Sequence, residues 1–294
     1  MFTHCLRPVF TERLVQLLQR GRSINLVGAE GAGRERLLTD LQQCALPDTQ
    51  KVLVNLKSYR ESYDGCLRAI WTQFGQDGSP PESLSALIER CDGRSAQVWL
   101  LLDNFDALLD NPAVDPKYDT TFYDALNYCR NKPNIALICA TAAPHDQSVV
   151  FVNGKPHSNS WLDLEQKPLP ALTYEEIVLE VQRQPLGLAL EEQSAVIAAV
   201  RAHAKPYKLL EYLREKLFNK EDGELPFHAR LKKWLRQFPK TEQNSLIKWV
   251  HTVMQKIRMW CELTGITKLK APFLLLGDIG KWIACVFGKG SDKE

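Results

Sequence analysis

The 294-residue chain carries 37 lysines and arginines against 35 acids, with 45% hydrophobic residues and eight cysteines. That profile suits a globular protein of one large domain or two to three modules, and no apolar run is long enough to span a membrane. The near-neutral total singles out no partner, but about +8 gathers over residues 225–294 and about −6 over the rest, an asymmetry of the kind found with an acidic-substrate or nucleic-acid face.

Arg7 and Pro8 interrupt the first apolar residues, so no secretory leader is expected and the chain reads as cytoplasmic. The stretch "FTERLVQLLQRG" (10–21) has helical periodicity and stops at Gly21. "INLVGAEGAGRERLL" (24–38) is a buried strand, a glycine-rich turn and the start of a helix. That is the layout of the phosphate-binding loop G-x-x-x-x-G-K-[ST], with Gly28 and Gly33 at the glycine positions and Gly31 between them. Arg34 stands where the lysine belongs and Glu35 where the hydroxyl belongs. Such a loop holds an anion through backbone N–H groups and the positive end of a helix.

Strands are expected over 50–58, 96–103 and 134–141, separated by helices over "ESYDGCLRAIWTQFG", "ESLSALIERCDG" and "TTFYDALNYCRNK". Asp103 ends the third strand, where a Mg²⁺-associated acid belongs, or serves as a helix N-cap ahead of "FDALL". Thr141 ends the fourth strand as a phosphate-sensing hydroxyl or as an ordinary strand-end residue. Residues 144–160 read as a long polar loop, and "WLDLEQKPLP" carries a short edge strand. Alternating strands and helices, with strands apolar throughout, predict a parallel sheet covered on both faces.

From Thr173 the pattern turns wholly helical, opening on a Thr173–Glu176 capping box. "LEEQSAVIAAVRAHA" and "KPYKLLEYLREKLFNK" follow, and Glu221–Pro226 reads as a linker. The last segment holds the basic helix "FHARLKKWLRQF" and a longer helix, with Arg230, Lys232, Lys233, Arg236, Lys240 and Lys248 either a solvated face or contacts to phosphates. Trp234, within that helix, is a core or domain-seam residue or a partner contact. Scattered cysteines without C-x-x-C or paired Cys/His spacing give no zinc pattern and no disulfide frame; Cys44, Cys129, Cys139 and Cys285 fit buried free thiols. His203 and His251 read as surface or partly packed residues.

Order and spacing together resemble the P-loop ATPases of the AAA+ superfamily, particularly the STAND and Orc/Cdc6-like branch. "RPVFTERLVQLLQRGRSINLVGAEGAGRERLL" resembles their opening, "WLLLDNFDALL" their second motif with D-E-x-D, and "ALICAT" their sensor strand. "AHAKPYKLLEYLREKL" resembles the lid helix, with Pro206 at the proline of a Gly-x-Pro-like signature whose glycine is absent. The end of the chain resembles a winged helix. The resemblance implies an α/β nucleotide-binding domain over 1–170, a helical lid over 171–222 and a winged helix over 223–294. It implies ATP or ADP held by Gly28, Gly31, Gly33, Arg34, Glu35 and Arg36 with Thr141 and Pro206, and Mg²⁺ at Asp103, with Asp106 as a second acid.

The departures bear on activity. Arg is planar and forked and does not replace a lysine conservatively. Glu35 brings a negative charge in place of a Mg²⁺ ligand. Asn104 stands where a water-polarising glutamate belongs, and an amide cannot act as a general base. Three readings follow: a weakly active or inactive regulatory subunit of a nucleic-acid-associated assembly in defence, mobile-element or replication-loading systems; an ATP-dependent switch completed by a neighbour's arginine on oligomerisation; or a protein–protein adaptor whose cleft is closed by a salt bridge from Glu35 to Arg34 or Arg36. Protein partners or a homo-oligomer are expected in each. Nucleic acid is expected only through the basic tail, and no membrane is expected.

Overall fold

The computed structural model describes residue 2 and residues 4–75, 78–92, 96–109, 113–144, 150–152, 155–157, 164–183, 187–219 and 221–238. They divide into a first unit, Met1–Arg230, and a second beginning at Leu231.

The first unit is built on a parallel five-stranded sheet. Its strands are β1 (Ile24–Val27), β2 (Thr49–Asn55), β3 (Gln97–Asp103), β4 (Ile135–Thr141) and β7 (Glu165–Pro168), in spatial order β2-β3-β4-β1-β7. The expected strands over 96–103 and 134–141 are direct neighbours, with Val98 opposite Ile135 and Leu102 opposite Cys139. The neighbours of β1 are β4 and β7, neither of which is the next strand after it in the chain. Crevices at the carboxyl ends of parallel strands open where the strand order breaks in this way, and the glycine-rich turn leaves β1 at that end.

The alternation of side chains explains why the strands read as unbroken apolar runs. Val98, Leu100 and Leu102 of β3 and Ile135, Leu137 and Cys139 of β4 face one way. They pack under α3 (Tyr63–Gln73), α4 (Leu84–Asp92) and α5 (Thr120–Arg130). Trp99, Leu101, Ala136, Ile138 and Ala140 face the other way, against α1 (Pro8–Gln19) and α2 (Arg34–Gln43). Both faces are covered, so neither register of the period-two pattern can be polar. Caps fix the helix starts: Asp119 accepts from the N–H groups of Thr121 and Phe122, and Ser62 from that of Gly65.

Two local readings differ from the sequence expectation. The polar stretch after β4 contains a short antiparallel pair, β5 (Val150–Val152) with β6 (Lys155–His157). Asp103 is not a helix cap. The N-cap position of the 3₁₀ turn Phe105–Leu108 belongs to Asn104, at φ 51°. Asparagine tolerates that left-handed conformation better than most residues.

The helical segment comprises α6 (Tyr174–Gln182), α7 (Leu190–Ala202) and α8 (Pro206–Phe218). Thr173 and Glu176 form the expected reciprocal capping box. His203 ends α7, and its Nδ1 accepts from the N–H of Lys205 at 3.0 Å. The described part of the second unit is residues 231–238, the later portion of a helix over 227–238. Leu231, Trp234 and Phe238 are buried on it, while Lys232, Lys233 and Arg236 are exposed and Arg230 is half-buried. Lys240, Lys248, His251, Cys285 and the expected winged helix lie outside the described residues.

Candidate nucleotide site

The loop between β1 and α2 has the shape its glycines require. Gly31 and Gly33 take φ 80° and 90°, in the region that disfavours side chains, and Gly33 is the N-cap of α2. The space above them is used as well. A Cβ on Gly33 would lie 2.9 Å from the ring of Tyr207, and one on Gly31 would lie 3.1 Å from the Lys205 side chain. Lys205 and Tyr207 flank Pro206, which opens α8, so the first turn of that helix rests on the loop. The N–H of Lys208 donates to the Gly31 carbonyl at 3.3 Å.

Among the described residues, no backbone hydrogen bond starts from the N–H groups of Gly31, Gly33, Arg34 or Glu35. Donors left over at a helix start in this way make a nest suited to an anion. Two guanidinium groups lie in its wall. Arg34 is buried; its Nη2 donates to Asn104 Oδ1 at 3.0 Å, and its Nη1 has no partner. Arg7 is 1% exposed. It donates to the Pro170 carbonyl at 3.1 Å and to the loop carbonyl of Ala32 at 2.7 Å. Its Nη1 is also buried without a partner, 3.3 Å from the place a Gly33 Cβ would occupy. Burial pulls the Arg7 pKa below its ordinary value, against the raising influence of Glu176 and Asp40. A buried cation with only carbonyl partners is costly, and an anion in the nest offsets that cost.

Asn104 links the two motifs. While its oxygen accepts from Arg34, its Nδ2 donates to Asn55 Oδ1 and Asp103 Oδ2, both at 3.1 Å. The amide therefore satisfies a cation on one side and a carboxylate on the other. A glutamate here would repel Asp103. Asp103 itself is 3% exposed, and burial raises its pKa against the lowering influence of the Asn104 backbone and the Arg34 charge. Oδ1 of Asp103 and Oδ1 of Asp106 are both buried without a partner. Oxygen ligands of this kind suit Mg²⁺.

The other residues singled out in the sequence fall into two groups. Gly28 closes onto the sheet through its N–H, which donates to the Thr141 carbonyl at 2.9 Å. Thr141 is buried, and its hydroxyl lies 2.6 Å from the Ala143 carbonyl and 3.0 Å from Asn25 Oδ1, so it is used within the strand ends. Glu35 is exposed and enters none of the ion pairs among the described residues. It borders a cleft of about 380 Å³ between α2 and α8, with Thr39, Gln43, Tyr207 and Glu211. The closing salt bridge of the adaptor reading is thus not formed: Arg34 bonds Asn104, and Arg36 turns away. Arg36 donates to Asp40 at 2.8 Å and to Glu180 at 2.7 Å.

Sequence reasoning did not single out Arg7 or Tyr207 for this site. An Arg-Pro pair at a helix start and an aromatic directly after Pro206 are the signals that were present.

No family model matches the chain, and no curated protein matches its sequence. Its fold does have relatives. It is similar to a chain of the Drosophila ORC bound to DNA (15% identity, TM-score 0.52, 98% of this chain and 75% of that one). It is likewise similar to Cdc6p of Pyrobaculum aerophilum (17% identity, TM-score 0.52, 74% and 62%) and to a Walker-type ATPase of Pyrococcus abyssi (14% identity, TM-score 0.55, 94% and 89%). The fold is that of the AAA+ class. Within that class it is the Orc/Cdc6-like arrangement, as its motifs led one to expect.

Proposed function

We propose that this chain is a nucleotide-binding AAA+ subunit that hydrolyses ATP weakly or not at all and regulates an assembly engaged with nucleic acid. One observation carries the reading: two buried guanidinium nitrogens, on Arg34 and Arg7, stand without hydrogen-bond partners near loop N–H groups that make no backbone hydrogen bond. A di- or triphosphate satisfies all of them at once. Arg34, placed where the lysine belongs, provides a forked contact to the outer phosphates. Asn104 offers no general base, and its bond to Arg34 links phosphate contact to Asp103. The first turn of α8 rests on the loop, so nucleotide occupancy biases the position of the lid.

Asp103 and Asp106 would hold Mg²⁺, which supplies charge neutralisation at the outer phosphates. Their unpartnered oxygens favour a second reading, a switch whose hydrolysis needs a neighbouring subunit. The likeness to DNA-bound ORC and the exposed Lys232, Lys233 and Arg236 support the nucleic-acid part of the proposal.

Calorimetric titration with ADP and ATP, in Mg²⁺ and in EDTA, tests it. Binding should survive EDTA because the nest and the arginines act on the phosphates directly, and the isolated chain should turn over ATP at background rate. Failure of both nucleotides to bind in both conditions returns the adaptor reading. Steady turnover that disappears in Asp103→Ala establishes the switch.

A further inference from the structure

At the far end of α2, three metal-ligating side chains meet that the sequence keeps apart. His4 and Cys5 precede α1, and Cys44 is the C-cap of α2. A ring nitrogen of His4 and the two Sγ atoms all lie within 4.8 Å of one another. His4 Nε2 and Cys5 Sγ are 3.4 Å apart. Both cysteines are 2% exposed, and His4 is half-buried. Zn–S bonds of about 2.3 Å and Zn–N bonds of about 2.1 Å place tetrahedral neighbours roughly 3.6 Å apart, so the His4–Cys5 pair already spans one edge.

The surroundings carry charge of both signs: the Lys51 ammonium donates to the Cys44 carbonyl, while the end of α2 offers negative charge. The Cys44 N–H turns to the Leu41 carbonyl, which leaves the Asp40 carbonyl without its helical donor. That oxygen lies 3.2 Å from Cys44 Sγ and 3.4 Å from His4 Nε2. It belongs to the negative end of the α2 dipole. The Asp40 carboxylate is engaged by the Leu6 N–H at 2.8 Å and by Arg36, so it is not a competing ligand.

We propose that His4, Cys5 and Cys44 form a zinc site. Two thiolates and an imidazole are soft ligands that select Zn²⁺ over Mg²⁺ or Ca²⁺. Binding converts two thiols to thiolates and releases two protons, and the metal's two positive charges balance the thiolates. A water would complete the tetrahedron as the fourth ligand. The site joins the N-terminal segment to the end of α2, while Arg7 joins the same segment to the loop at its start through Ala32. The metal thereby braces the nucleotide loop without touching it.

Cobalt substitution tests this on the full chain, stripped with chelator under reducing conditions. One Co²⁺ should bind per chain with thiolate-to-metal charge-transfer absorption, and Zn²⁺ should displace it. Cys5→Ser and Cys44→Ser should each abolish the absorption, His4→Ala should weaken Co²⁺ binding at least tenfold, and Cys66→Ser should leave it intact. Zn²⁺ should raise the melting midpoint of the parent chain and not that of Cys44→Ser. Absence of the absorption in the reduced parent chain overturns the proposal, as does its persistence in both serine variants. Recovery of Cys5 and Cys44 as a disulfide, with no metal taken up after reduction, overturns it too.

Discussion

Arg34 and Arg36 stand two residues apart on the first turn of α2, in opposite environments. Arg36 is surrounded by acceptors: Asp40, Glu180 and the His4 carbonyl. Burial works against its charge, but the two carboxylates outweigh that and hold its pKa above the ordinary value. Glu180 is shared with Arg183 at 2.6 Å and Arg214 at 3.4 Å, so the network ties α2, α6 and α8 to the N-terminal segment. Arg34, by contrast, has one amide oxygen and a bare nitrogen, and Arg7 beside it has only carbonyls. Saturated charge marks structure here, and the unsaturated charge is what the proposed nucleotide would satisfy.

The largest effect is expected at Glu180. Glu180→Ala leaves Arg36 half-buried without its second carboxylate, and removing one member of a buried pair costs about 3–5 kcal/mol. Urea and thermal melts should show that loss, a midpoint drop on the order of 10 °C for a domain of this size. A loss under about 1 kcal/mol would mean that the network is solvent-compensated, because exposed pairs contribute no more than that.

Arg34→Ala should do the reverse. Stability should hold, since an incompletely paired buried cation is removed, while ADP affinity falls at least tenfold, or about 1.4 kcal/mol. A chain that loses stability and keeps its affinity would make Arg34 a structural residue like Arg36.

Asp103→Asn sharpens the same contrast with pH. Burial raises the carboxyl's pKa in the folded state, so the native chain holds that proton more tightly than the unfolded chain does. The stability this contributes is complete below the unfolded value, about pH 4, and is lost as pH rises through the folded value. Asp103→Asn should therefore match the parent near pH 4 and exceed it in stability at pH 7. Denaturant melts at the two pH values measure it. A gap that narrows with rising pH would mean that the carboxylate is already paired.

The smallest effect on folding belongs to the basic helix. Lys232→Glu with Lys233→Glu should leave the melt unchanged and flatten the salt dependence of duplex binding by about two units of log affinity per log salt. If neither DNA nor RNA binds the parent chain at low salt, that face serves a protein partner or solubility.

The elements were legible because their signals are local. Period and breakers revealed the strands ending at Asp103 and Thr141, the capping box at Thr173 and the glycine loop, since each depends on residues a few positions apart. Trp234 is buried, in line with Leu231 and Phe238 along a helix, a spacing the sequence already shows. The antiparallel pair after β4 was missed because two three-residue strands carry too little periodicity to stand out from a polar loop.

Sequence alone determined that α2 begins with an arginine and a glutamate where a lysine and a hydroxyl belong, and that an amide follows Asp103. Tertiary structure decided what those substitutions mean. Glu35 and Arg34 are adjacent in the chain, yet one faces solvent and the other reaches Asn104, seventy positions away. Arg36 meets Glu180 across 144 positions, and Cys44 meets His4 and Cys5 across about forty. Which charge finds a partner depends on the packing of helices onto a shared sheet, and one-dimensional spacing carries no record of it.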